Sequence, residues 1–212
     1  MAFYMEEQTK LFIKSLVQGD LEQVKHFVEN EGFHPDKPIA TFEGITAGSP
    51  LVEASNAKNG VEVVKYLIEK GADVTATHNQ DALKQASYWG NNDTVNVLLD
   101  AGMDIHYNDE QALRASLVDN QKDTSQLLLS RKANADVAIE RIANDNLDPL
   151  KGSILLQREE LQAVIWLRDT ADKINLKNKL EAETSSKNDF KSIMQGLGQH
   201  TAQQQSTKKI KI

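Results

Sequence analysis

Apolar positions recur along this chain as paired helical stripes, each pair followed by a turn. The fullest copy runs from Ser49 to Val74, SPLVEASNAKNGVEVVKYLIEKGADV. Ser49 is a helix-capping residue, and Pro50 suits the first helical position, where a missing N–H costs nothing. Leu51 and Ala54 share one face of the first predicted helix, which Asn59-Gly60 ends. In the second, Val63, Val64, Leu67 and Ile68 keep the i, i+3, i+4 spacing of a single apolar stripe. Gly71 closes it as a residue free to take φ > 0. Helices this short are marginal alone in water, so the unit must stack on neighbours.

Two further copies follow, DALKQASYWGNNDTVNVLLDAGMDI from Asp81 and QALRASLVDNQKDTSQLLLSRKANADV from Gln111. The first-helix leucines Leu51, Leu83 and Leu113 lie 32 and 30 residues apart. The second-helix pairs Leu67-Ile68, Leu98-Leu99 and Leu128-Leu129 repeat at 31 and 30. The units end in Gly71-Ala72-Asp73, Gly102-Met103-Asp104 and a degenerate Lys132-Ala133-Asn134. Two helices and a turn at a period of about 33 residues are the mark of ankyrin repeats. Ser49-Pro50-Leu51-Val52-Glu53-Ala54 resembles that family's T-P-L-H-x-A motif, and Glu62 to Val74 is similar to its second helix and Gly-Ala-Asp turn. The resemblance to the ankyrin repeat family covers residues from about 49 to 137 and implies an all-α solenoid of helix-turn-helix units.

The copies depart from the family pattern in five places. Asn120 replaces the interhelical glycine seen at Gly90, and Asn tolerates the left-handed region best among non-glycines. Ala82 and Ala112 replace the motif proline. The link from Gly102 to Leu113 is short, a form that resembles repeats of large viruses and some bacteria. Lys132 stands where glycine belongs, which predicts a less regular end to the third unit.

The flanks read as caps. Glu6 to Val17 and Leu21 to Val28 form a helix pair, with Leu11, Ser15, Leu16, Val24, Phe27 and Val28 as its apolar faces. A loop from His34 to Gly48 separates it from the first repeat, longer than such loops usually are. It contains His34-Pro35-Asp36-Lys37, the loop motif of J-domain co-chaperones, but Pro38, Thr41 and Gly44 forbid the long helix that domain needs. After the third unit, helices are expected at Ala138 to Ala143 and Leu147 to Gln157. A last helix follows from Glu159 to about Glu183, with Leu161, Val164, Ile165 and Ile174 toward the stack. The expected organisation is thus an N-terminal cap at about 1–34, repeats at about 49–79, 80–109 and 110–137, and a C-terminal cap at about 138–183. Residues 184–212, rich in Ser, Gln, Lys and Gly, read as a disordered basic tail.

Composition narrows the function classes. The chain has 212 residues, no cysteine and a formal charge of −7. From Thr184 onward five lysines face one acid, a balance of +4, so the body before it stands near −11. An acidic body disfavours nucleic acid on the solenoid and suits a basic partner. No signal peptide or membrane span is predicted, which points to a cytoplasmic protein. The five histidines lack the i, i+4 spacing of a helical zinc site. No phosphate loop, split carboxylate pair or nucleophile elbow is present, so no metal, cofactor or catalytic residue is expected, and no enzyme.

The resemblance implies recognition on a concave face built from turn tips and first helices. Carried over by position, the candidate partner-binding residues are Glu53, His78, Asn79, Gln85, Tyr88, Trp89, Tyr107 and Asp109. For Trp89 the alternative is packing between repeats. The expected function is a monomeric protein-binding adaptor or inhibitor, as in a viral or bacterial factor acting on a host protein. A second reading is a structural subunit attached through its last helix and tail.

Overall fold

The computed structural model describes residues 2–39, 48–118, 120–145, 147–148, 153–154, 162–185 and 187. The middle of the long loop, Leu161 and most of the expected tail lie outside the described residues. The elements are α1 (Ala2–Gln18), α2 (Leu21–Asn30), α3 (Pro50–Ser55), α4 (Val61–Glu69), α5 (Asp81–Tyr88), α6 (Asn92–Asp100), α7 (Tyr107–Val118), α8 (Lys122–Ser130) and α9 (Ala135–Asp145). A further helix, α10, spans residues 162–185. The chain divides into two compact units, Met1–Arg168 and Asp169–Ile212. The described part of the second is residue 187 and the run of α10 after residue 168, where Lys177 pairs with Glu181 at 3.8 Å.

In the first unit the chain folds as an all-α stack of helix pairs. The first helices α1, α3, α5, α7 and α9 pack on one another in order, and the second helices α2, α4, α6 and α8 form a parallel row. The aligned leucines make the core: Leu51, Leu67, Leu98, Leu113 and Leu128 are fully buried and Leu83 nearly so. Ser49 caps α3 by accepting from the Val52 N–H, with Pro50 at its start. Polar contacts tie successive units. The Asn91 side chain donates to the carbonyls of Ser55 and Ala57, at 3.1 and 3.2 Å. Thr124 donates to Asn92 at 2.7 Å. Glu29 takes hydrogen bonds from Lys70 and Tyr66, which hold its carboxyl below the usual range. Burial, then Glu29, pushes the Tyr66 hydroxyl up to about 12. At Gly19, φ is +70°, and a Cβ would lie 2.7 Å from the Asn59 carbonyl oxygen, so the cap meets the first repeat backbone to backbone.

Four expectations change. In α1 the buried face is Phe12 and Leu16, while Leu11 is 43% exposed. Phe12 is one residue round the helix and can join the rings of Phe27 and Phe33, with centroids 5.5 and 4.6 Å away. The helix expected from Leu147 is replaced by a short antiparallel ladder pairing Leu147 with Ile154 and Asp148 with Ser153. The rest of that expected helix, residues 149–152 and 155–157, lies outside the described residues. In α10 it is Leu167 that is fully buried, whereas Ile165 is 53% exposed. Finally, the third unit ends regularly. Lys132 takes φ +77°, and the bonds Lys132 N–H to Leu129 and Ala133 N–H to Leu128 repeat those at Gly71-Ala72 and Gly102-Met103. Asn120, at φ +54°, occupies the left-handed region as its residue type predicts.

The short link before Leu113 closes in an unusual way. Asn108, Asp109 and Glu110 are left-handed, at φ +50°, +54° and +61°, before α7 turns right-handed. Glu110 aligns with Gln80, whose amide donates to the carbonyls of Val74 and Thr75. Glu110 is equally enclosed; one carboxyl oxygen meets His106 Nδ1 at 2.5 Å, and the other is buried without a partner among the described residues.

Three substitutions test this packing. Leu98→Ala removes a fully buried side chain and should cost about 2–5 kcal/mol in urea unfolding; a loss under about 1 kcal/mol would contradict the register. Lys132→Gly should raise stability by about 1 kcal/mol through relief of left-handed strain, measured the same way. Glu110→Gln supplies a donor where Gln80 has one, and should shift the thermal midpoint upward by the equivalent of about 1 kcal/mol; a downward shift would count against the enclosed orphan oxygen.

Candidate functional site

The candidate surface is the face of the first helices together with the turn tips. At the first tip, the long loop before repeat one is fastened to the turn after it. Asp36 accepts from the Asp73 N–H and from the Asn79 amide, both at 2.8 Å. His78 Nε2 lies 2.6 Å from the Asp36 carbonyl oxygen. Two hydrogen bonds from Thr75 hold the Asp73 carboxyl below the usual range. The His34-Pro35-Asp36-Lys37 motif therefore serves as a strap, with Asp36 as its buckle.

This geometry sorts the expected contact residues. Asn79 is fully buried, its amide spent on Asp36 and on the Asp73 carbonyl, so it is a strut of the tip and offers no side chain to a partner. The reason is its place inside the 3₁₀ turn Thr77–Asn79, which points it back under the loop. Glu53 accepts from the Gly48 N–H at 2.7 Å and from Asn56 at 3.4 Å, which occupies it in closing the loop. His78 is exposed but engaged with Asp36. Gln85 is half-buried along α5, and Asp109 is exposed on the left-handed link. Tyr107, half-buried, stands at the head of α7.

Tyr88 and Trp89 meet edge to face with centroids 5.1 Å apart at the end of α5. Trp89 does not pack between repeats: it is 53% exposed, and Tyr88 is the more enclosed of the two.

A groove of about 870 Å³, not among the expected contact residues, lies beside Tyr88. Tyr88 forms one part of its wall, α7 contributes Arg114, Ala115 and Val118, and Lys122 and Trp166 complete the far side. Val118 is 75% exposed. Lys122 Nζ sits 5.8 Å from the centre of the Trp166 ring. Arg114 reaches back to the carbonyls of Asn108 and Asp109, each at 3.0 Å, and so braces the left-handed link. A signal was present in the alignment: Lys84 matches Arg114 and Tyr88 matches Val118, so both helices carry a cation one turn before an apolar residue.

Among the described residues no group of three or more His, Cys, Asp or Glu gathers to hold a metal ion. No described helix is long and apolar enough to cross a membrane. In comparison with known proteins, an ankyrin repeat protein of Rickettsia bellii (strain RML369-C) is 34% identical over 84 residues. That match covers 38% of this chain and 49% of the relative, so the chain spans about half of the relative's length. The family described as ankyrin repeats (3 copies) matches residues 11–109 and 58–141, together more than half of the sequence. With the stacked helix pairs and the left-handed turns, this match shows that the chain belongs to the ankyrin repeat family, whose repeats are generally protein–protein interaction modules.

Proposed function

We propose that this chain is a non-enzymatic adaptor or inhibitor that holds one protein partner on the face of its first helices and tips. The observation that carries this reading is the exposed apolar ridge where α5 and α7 end. Trp89 and Val118 leave more than half their surface open, beside Tyr88. Tryptophan and tyrosine supply large contact area at small entropic cost, and exposed apolar groups gathered in one place mark contact surfaces. The protein acts as a monomer in the cytoplasm. Its acidic body, near −11, speeds encounter with a basic region of the partner. The likeness to a Rickettsia protein accords with a bacterial factor that engages a host protein.

A second reading has its own support. In the second unit's run of α10, Leu176 and Leu180 are exposed four residues apart. A structural subunit held by its last helix and tail would cover such a stripe.

Truncation separates the two. Once a partner is identified by cross-linking in the native cell, Trp89→Ala and Tyr107→Ala should each weaken it by more than about 1 kcal/mol, read by calorimetry. Thermal unfolding should stay nearly unchanged, because neither side chain is buried in the core. Binding that survives both changes but is lost with the residues after Thr184 would move the interaction to the tail.

A further inference from the structure

The chain is acidic, yet its groove is not. The groove walls carry Lys84, Arg114 and Lys122, and no described lining residue is an Asp or Glu. Asp81, one turn before Lys84 on α5, accepts from Gln111 at 2.5 Å and pairs with Lys84 at 3.9 Å, at the edge of ion-pair range, and it is not part of the lining. A basic groove in a body of about −11 reverses the sign that the whole chain shows at a distance. Long-range encounter and close contact are therefore governed by opposite charges.

The lining also has an order. Lys84 and Tyr88 on α5, then Arg114 and Val118 on α7, give two parallel rows in which a cation precedes an apolar residue by one helical turn. Lys122 and Trp166 repeat the pairing across the groove as a cation over a ring. Walls that alternate cations with apolar side chains fit a chain segment that presents an apolar anchor flanked by carboxylates. From the rows and their charge we infer that the groove takes an acidic peptide segment of the partner, with an aromatic or aliphatic anchor set between Tyr88, Val118 and Trp166. This inference rests on the protein-binding reading and names the chemistry of one contact in it. The sequence from Thr184 onward, five lysines against one acid, has the opposite sign to such a segment.

Two labelled peptides test the inference on the full chain by fluorescence anisotropy. One places glutamates around a central Phe-Leu pair; the other has lysine in place of every glutamate. The acidic peptide should bind at least about tenfold more tightly, and its affinity should fall as salt is raised. Lys84→Glu combined with Lys122→Glu should abolish or reverse the preference while circular dichroism stays helical. Arg114 is left intact because it braces the link. Replacing Phe-Leu by Ser-Ser should also cost at least about tenfold.

Equal binding of both peptides, no binding of the acidic one, or indifference to the charge reversal would overturn the inference. Stronger capture of single-stranded DNA than of the acidic peptide would make the groove a general polyanion site and overturn it too. A concentration-dependent dimer that disappears in the double variant would assign the groove to a second copy instead. Failure here with Trp89→Ala still weakening the cross-linked partner leaves the protein-binding reading standing; loss of both sinks that reading as well.

Discussion

Every feature of the first unit depends on the burial of one leucine stripe between consecutive helix pairs. The buried leucines Leu67, Leu98 and Leu128 lie on α4, α6 and α8, which pack on the first helices of their own units and on the second helices of neighbouring ones. Stability in such a stack comes from neighbour-to-neighbour interfaces, each worth a few kcal/mol of burial, and not from a single centre. That arrangement frees the outward face of the first helices. Tyr88, Trp89 and Val118 can project apolar surface without compromising the fold because the stripe beneath them is complete.

Polar ties fix what the leucines leave free. Apolar stripes alone permit sliding, but Asn91 on the Ser55 and Ala57 carbonyls and Thr124 on Asn92 set a single register between units. The Asp36 contacts do the same at the tip, where the described start of the loop is held by Asp73 and Asn79. Repeat and loop thus exchange roles: residues that look available for recognition become internal fastenings, and the recognising surface shifts to the helix ends.

The stack itself was legible in the sequence because its signal is periodic: leucines, turns and the Ser49-Pro50 cap recur at fixed intervals. The errors fall where periodicity stops. Choosing Phe12 over Leu11 required knowing that Phe33, in an irregular segment, would supply ring partners. After α9 a ladder between Leu147–Asp148 and Ser153–Ile154 stands where the apolar spacing around Leu147 suggested a helix, because pairing with a segment several residues away is not visible in a local apolar spacing. Asn79 looked like an exposed tip residue because its partner Asp36 lies 43 positions away and no local pattern connects them. The groove was half legible, since Lys84 and Arg114 align, but Trp166 reaches it from outside the repeats.

Lys132 carries a lesson about descent. Its left-handed turn keeps the same two backbone hydrogen bonds as the glycine turns before it, although its side chain disfavours that conformation. The turn is held from outside, by the helices already docked on either side, so the local residue is released from specifying it. Letters in such an array can therefore drift while the shape persists, most readily once several units have locked together. Repeats counted by their motif will be fewer than repeats that exist, and the missing ones are to be sought next to the ones that are found.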